Sequence, residues 1–336
     1  MKTATQALLI LMCFSLSSCS SAESTANNIG DNSMIKLENL QDWCTGRYTF
    51  QIPKEASPIG GIDKYNSFII KSELNATHDS LKNAYAEKLT KYSEKDMRIL
   101  ADEEEIKVGN KIIKVFKAKY GADNRGTNDV FAWVLDNKTL FTISGTYSLQ
   151  YKGQSEEALT NLLNNLSFRN NRIMPKQTGV CINNGFITNS GSPFRNSVHS
   201  FGFEFKQYPS VRIFFETEAP SRDPGGLIDR MKNNLDRTGN YSLFKSHNKT
   251  IKKGKKSQIV GDQLKGEEWI FEVPLKGKPG LVATFEYSGS VKNSLDPLIN
   301  LEVDSAFNPT QIQTSSISQA EAIKLYNVIL NTIKKF

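Results

Sequence analysis

Residues 44–53 read CTGRYTFQIP, and residues 181–187 read CINNGFI. In the first stretch Tyr48, Phe50 and Ile52 fall on alternate positions, with Thr49 and Gln51 between them. A period of two puts alternate side chains on one face, so residues 47–52 predict a half-buried strand. Pro53 ends it, because proline has no N–H to give to a sheet ladder. Next outward, residues 67–74 (SFIIKSEL) predict a second strand. Between 78 and 92 the period changes, and Leu81, Tyr85, Leu89 and Tyr92 make one apolar helical stripe. Three strands follow at 111–119, 130–135 and 139–147. The polar link Asp136-Asn137-Lys138 marks the last two as a hairpin. Residues 155–166 (SEEALTNLLNNL) close this half as a helix whose acidic first turn suits the positive end of the helix dipole.

The same order starts again at Cys181. Phe201, Phe203 and Phe205 alternate, and so do Val211, Ile213 and Phe215. A helix is predicted at 225–235, after Pro224, and strands at 268–273, 281–287 and 298–303. The last element is a helix at 319–335, opened by the capping box Ser318-Gln319-Ala320-Glu321. Each half thus runs Cys, strand, strand, helix, strands, helix. Residue identity between the halves is low, so the repeat is one of element order. Strands grouped around a few helices predict an α+β fold of two similar domains, each a largely antiparallel sheet with helices covering one face. The boundaries fall at 41–174 and 177–336, with the junction in 172–178 (RIMPKQT).

Ahead of both halves lies an export signal. Lys2 is followed by a short apolar run at 7–14 (ALLILMCF) and then by Leu16-Ser17-Ser18-Cys19. The run is too short to span a bilayer, which needs about 20 residues. A charged start, an apolar core and small residues before a cut make a secretory signal. The cysteine at the cut completes a bacterial lipobox, so residues 1–18 are expected to be removed and Cys19 to carry lipid. Two acyl chains on that thioether would anchor stably. Ser20, where an Asp would signal inner-membrane retention, points to the periplasmic side of the outer membrane. Residues 19–40, rich in Ser, Asn, Ala and Gly, are expected to form a flexible tether.

Composition narrows the chemistry. The net charge of +7 is weighted to the second half, much of it in 245–256 (KSHNKTIKKGKK). That stretch has neither interleaved aromatics nor helical amphipathicity, so it is expected to be a solvated loop rather than a nucleic-acid or lipid patch. With Cys13 lost and Cys19 lipidated, Cys44 and Cys181 remain. In an oxidising compartment they either bond or stay as two buried thiols, and spacing alone leaves both open.

Catalytic marks are sparse. His78, His199 and His247 share no metal-ligand spacing with one another or with cysteine. No Gly-x-Ser-x-Gly elbow and no phosphate-binding glycine loop occur. The acidic run at 102–105 lacks the pattern of a calcium loop. Glu267 and Glu268 are neighbours on a strand and point to opposite faces, so they cannot act as an acid pair. Glu268 is expected to be exposed, with Glu267 at the strand edge. No catalytic residue, metal ligand or cofactor site is assigned.

The order and spacing of several segments resemble the immunity proteins that protect bacteria from type VI secretion lipase effectors, the periplasmic phospholipase toxins. Cys44-Thr45-Gly46-Arg47-Tyr48-Thr49-Phe50 with Ile52-Pro53 is similar to the strand that opens such proteins. Cys181-Ile182-Asn183-Asn184-Gly185-Phe186-Ile187 resembles the start of their C-terminal domain. Gly261, Gly266-Glu267-Glu268, the strand 282–287, residues 297–301 and the Glu321-Ala322 helix follow in order. The likeness spans nearly all of 41–336; Asn183-Asn184 and the Lys-rich stretch depart from it. It implies a binding protein with no catalysis and no cofactor, whose partner is a cognate lipase gripped near its lid or active-site entrance. Contacts in such proteins vary with the toxin, so no partner-binding residue is carried over, although the exposed 218–226 loop and the Lys-rich stretch are candidates. The alternatives are a non-catalytic envelope assembly or structural lipoprotein and an envelope hydrolase.

Overall fold

A computed structural model describes residues 35–93, 97–102, 105–120, 127–188, 197–308 and 310–336. The expected signal at 1–18, Cys19, the expected tether up to residue 34, and residues 103–104 of the acidic run lie outside the described residues. Residues 35–40, expected to belong to the tether, are instead part of the fold, because the apolar Ile35 and Leu37 pack into the core and Leu40 opens the first strand. The N-terminal half contains β1 (Leu40–Thr45), β2 (Tyr48–Pro53), β3 (Ala56–Gly60), β4 (Asp63–Tyr65), β5 (Phe68–Leu74), α1 (His78–Ser93), β6 (Met97–Asp102), β7 (Ile106–Val108), β8 (Lys111–Tyr120), β9 (Thr127–Asp136), β10 (Thr139–Ser148), α2 (Lys152–Asn165) and β11 (Leu166–Phe168). The C-terminal half contains β12 (Gly179–Ile182), β13 (Gly185–Thr188), β14 (Ser197–Phe205), β15 (Tyr208–Glu218), α3 (Leu227–Arg237), α4 (Tyr241–His247), β16 (Thr250–Ser257), β17 (Lys265–Val273), β18 (Gly280–Tyr287), β19 (Leu298–Asp304), α5 (Gln319–Thr332) and β20 (Lys334–Lys335). Among the described residues, no helix is long and apolar enough to cross a membrane.

The fold is α+β, and its sheet pairs are antiparallel. The main sheet runs β16-β17-β18-β19-β15-β14-β4-β5-β10-β9-β8-β6, with β3 added to β14 and β7 to β8. This order reads the same from either end. Counting outward from the β14–β4 pair, β15 answers β5, β19 answers β10, and β18 answers β9. The two predicted sheets therefore meet edge to edge as one.

Local chemistry explains the best-predicted elements. Asn137 and Lys138 both take positive φ, 45° and 59°, in the two-residue turn joining β9 to β10, the geometry that matches strand twist. Helix α5 begins with the reciprocal pair of a capping box. The Glu321 N–H donates to Ser318 Oγ (3.2 Å) and the Ser318 N–H to Glu321 Oε2 (2.7 Å). Helices α2 and α5 cover one face, called inner here, as expected. Helix α1 adds a second layer across the outer face, because β8 and β9 are apolar on both sides. Val115, Val130 and Ala132 face α2, while Phe116, Phe131 and Trp133 face Tyr85, Leu89 and Tyr92 of α1.

The inner layer shows how the halves depend on each other. The β1–β2 hairpin, from the N-terminal half, pairs with β20 at the end of the chain. Its Trp43, Tyr48, Phe50 and Ile52 are buried in one core with Phe203, Phe215, Phe285, Leu301 and α5. The β12–β13 hairpin, from the C-terminal half, pairs instead with β11. Its Val180, Ile182 and Ile187 pack with Ile143, Val134 and α2. Each half has exchanged its leading hairpin with the other. The division between 41–174 and 177–336 describes the order of elements along the chain, and the packing crosses it twice.

The Lys-rich stretch departs from expectation. Rather than a solvated loop, it forms the end of α4 and the edge strand β16. The reason is that its lysines find partners on both faces of β17. Lys253 Nζ sits 3.8 Å from the centre of the Trp269 ring on the outer face, while Lys252 and Lys256 reach Glu268 on the inner face. Lysines along an open edge also oppose pairing with another chain.

Candidate functional site

Helix α1 packs on β6 and β9, and α3 packs on β17. Among the described residues no helix packs on the outer face of the strands between, β19-β15-β14-β4-β5. Alternation along β15 puts Val211, Ile213, Phe215 and Thr217 inside and Arg212, Phe214, Glu216 and Glu218 outside. Register then fixes each neighbour. Phe214 lies opposite Gly202 on β14 and Glu302 on β19; Glu216 lies opposite Ser200 and Asn300. A Cβ on Gly202 would come within 3.0 Å of Ile59, so that side chain rests on the glycine beside Phe214. The Ile62 N–H donates to Ser200 Oγ (3.1 Å), which places it next to Glu216. Ile69 continues the row, across Lys64 from Val198.

These four large apolar side chains are exposed at the middle of a sheet: Ile59 by 50%, Ile62 by 49%, Ile69 by 44% and Phe214 by 37%. Single exposed apolar residues are ordinary, but Ile59, Ile62 and Phe214 grouped on one sheet face, with Ile69 beyond Lys64, mark an interaction surface.

Carboxylates line the β19 side of the row. Burial raises Glu216 to about 7, with the charges of Glu218 and Glu286 adding to it. Burial also raises Glu302 to about 7, helped by Asp304 and opposed by a hydrogen bond from Thr284. Asp304 is pushed up to about 6 by burial, against the hydrogen bond it accepts from the Ala306 N–H (2.7 Å). Nearby cations are already engaged. Arg230 of α3 holds Glu286 in a two-pronged ion pair. Arg212 pairs with Glu204 and lies over the Phe307 ring. Glu216, Glu302 and Asp304 form no ion pair among the described residues. The Asn300 Oδ1 between Glu216 and Glu286 is buried without a hydrogen-bond partner.

The residues weighed for catalysis fall elsewhere. His78 pairs with Glu105 at 2.9 Å on the N-terminal half, and His247 sits at the end of α4 bonded to Ser246 and the Leu243 carbonyl. His199 is buried, with Nδ1 3.0 Å from Asp63 Oδ1 across the β14–β4 junction, and Asp63 Oδ2 accepts the Asn183 N–H (2.8 Å). The Asp63–His199 pair thereby ties the exchanged β12 hairpin to the central strands. Among the described residues, no three His, Cys, Asp or Glu side chains are placed to hold a metal.

Glu268 is not exposed, as the strand pattern suggested, but fully buried. It points inward at α5, where Tyr326 OH donates to Oε2 (3.2 Å) and Lys252 Nζ lies 2.5 Å from Oε1. The edge-strand lysines supply the charge that lets a carboxylate sit there. Glu267 points to the other face and caps α3, accepting the Ile228 N–H at 3.0 Å.

Cys44 and Cys181 are joined in a disulfide, with their Cα atoms 5.8 Å apart. The bond links the two exchanged hairpins. Gly46 beside it has φ +58°, and a Cβ there would lie 2.2 Å from Thr217 Oγ1, so only glycine fits this position.

Residues 173–335 match the family model described as Tle cognate immunity protein 4 C-terminal domain. This likeness to an immunity domain covers just under half of the chain. The fold likeness extends to the whole described chain. The apo structure of immunity protein TplEi of T6SS from Pseudomonas aeruginosa is similar with a TM-score of 0.68 and 20% identity, covering 88% of this chain and 97% of that one. The crystal structure of the Tle4-Tli4 complex is also similar, with a TM-score of 0.71, 18% identity, and coverage of 89% of this chain and 98% of that one. A third relative is TplEi complexed with "L" peptide, at a TM-score of 0.67 and 19% identity. At these identities the likeness establishes the fold. No curated protein sequence matches the chain.

Proposed function

We infer that this protein is an immunity protein that binds and inhibits a cognate type VI secretion phospholipase or lipase effector in the periplasm. The observation that carries the reading is the immunity-domain match over 173–335. The T6SS immunity fold across nearly the whole chain supports it, as does a solved relative in complex with its effector. Inhibition proceeds by occupying the effector near its lid or active-site entrance, and needs complementary surface rather than chemistry. The chain acts without catalysis. Lipid on Cys19 and the segment between it and the buried Ile35 hold it at the outer membrane, where an arriving toxin meets it.

The test uses residues 20–336, which omit the lipidated cysteine, and the product of the adjacent gene. Stable co-purification together with loss of that product's phospholipase activity is the expected result. Absence of binding to any neighbouring lipase would sink the immunity reading and leave an envelope assembly role. Anchoring has its own test: Cys19→Ser should move the protein from the membrane fraction to the soluble periplasm, and unchanged membrane association would refute it.

A further inference from the structure

The outer face of the central strands has two sides of different chemistry. Toward β3 it is apolar, with Ile59 and Ile62, and on β4 Lys64 stands between Val198 and Ile69. Toward β19 it is acidic, with Glu216, Glu302 and Asp304. Phe214 stands between, directly opposite Glu302. Glu216 and Glu302 form no ion pair among the described residues; Arg230 is taken by Glu286, and Arg212, the cross-strand neighbour of Asp304, by Glu204. A buried carboxyl left without a partner costs stability, and a partner group that supplies a positive charge recovers that cost on binding.

We propose that this face is the docking surface for the effector, and that it receives a segment presenting an Arg or Lys flanked by apolar residues. The cation enters beside Phe214, between Glu216, Glu302 and Asp304, and donates to them and to the free Asn300 Oδ1. Its apolar neighbours cover Ile59, Ile62 and Phe214. Energetic hot spots are enriched in aromatic and arginine anchors that fill desolvated pockets at the centre of an interface. Arginine suits the site better than lysine, because its planar fork reaches two carboxylates at once while its face stacks on Phe214.

This surface assignment rests on the immunity reading, and the experiment separates the two. Residues 20–336 are titrated with the phospholipase effector encoded beside the gene, as wild type, Phe214→Asp, Glu216→Gln/Glu302→Gln, and the remote control Ile259→Asp. Ile259 is 78% exposed and lies away from the β15 face. Thermal unfolding of each variant verifies folding. Both face variants are expected to lose at least about 30-fold in affinity, as loss of a hot spot does, while the control stays within threefold of wild type. Should Phe214→Asp fail to fold, the carboxamide pair, which keeps size and shape, carries the test. Wild type that does not bind sinks the immunity reading and this surface with it. Tight binding by wild type and by both face variants alike overturns the surface alone. A change in the sedimentation of free wild type that Phe214→Asp abolishes would assign the face to self-association and also overturn it.

Discussion

Gly46 and Cys181, from the leading hairpins of the two halves, exchange two backbone hydrogen bonds. The Gly46 N–H donates to the Cys181 carbonyl at 2.9 Å, and the Cys181 N–H returns to the Gly46 carbonyl at 2.7 Å. The disulfide from Cys44 lies beside this bridge. The two exchanged hairpins are therefore joined by backbone and by covalent bond at one point, between cores that each contain residues from both halves.

Removing the bond should weaken the whole molecule. The cross-link closes a sequence separation of 137 residues, and long loops gain most from closure. Cys44→Ser/Cys181→Ser is expected to lose about 2–5 kcal/mol. Urea unfolding of oxidised wild type and of the double variant measures it; equal midpoints would mean the bond adds nothing.

Cutting the chain at its apparent boundary should fail. A fragment of residues 177–336 lacks Trp43, Tyr48, Phe50 and Ile52, which fill the core around α5. At roughly 1.5–3 kcal/mol per fully buried apolar side chain, the loss approaches the full stability of a typical domain. The fragment should aggregate or show no cooperative melt, and supplying residues 35–56 on a separate chain should improve its solubility. A fragment that melts cooperatively on its own would refute interdependence.

At Glu268 the partners matter more than the acid. Lys252→Ala/Lys256→Ala leaves a fully buried carboxylate with only the Tyr326 hydroxyl, an arrangement costing about 3–5 kcal/mol. Glu268→Gln removes the charge and keeps the shape, so it should cost less. Chemical denaturation of the two variants tests the ranking, which the reverse order would overturn.

The outer-face carboxyls should be stabilised by neutralisation. A carboxyl whose folded pKa is raised holds its proton more tightly in the native state. Stability from Glu302 is therefore complete below its unfolded value of 4.5 and is lost as pH rises toward about 7. Glu302→Gln should raise stability by about 1–3 kcal/mol at pH 8 and by little at pH 4.5. Melting curves at both values check it; an equal gain at both would show that ionisation is not the cause.

Effector binding should depend on pH in the opposite sense. The groups facing the proposed cation are Glu216, Glu218, Glu302 and Asp304 from β15 and β19, with Glu286 already held by Arg230, Arg212 directly opposite Asp304, and Lys64 on β4 opposite Val198. Below pH 6 the raised carboxyls are protonated and attract a cation weakly. Affinity should fall by about tenfold between pH 8 and pH 6, the consequence of about 1.4 kcal/mol of lost charge interaction. An affinity independent of pH across this window would count against a cation at the site.

Periodicity in the chain determined the long elements. Alternation through Phe201, Phe203 and Phe205 forced a strand, the Leu81–Tyr85–Leu89 stripe forced α1, and Ser318 with Glu321 started α5, because these signals depend only on near neighbours. Three other features depended on tertiary structure. A short hairpin such as β1–β2 has one apolar face and no local information about which half will cover it, so the exchange of hairpins was invisible. Glu268 looked exposed because alternation within its own strand cannot show that lysines on the neighbouring edge strand would neutralise a buried acid. The row from Ile59 to Phe214 beside Glu216 and Glu302 draws on four strands, and only the register between them makes it a surface. Local patterns fix which way a side chain faces along its own strand; what it faces is decided by other segments, brought beside it only by the tertiary pairing.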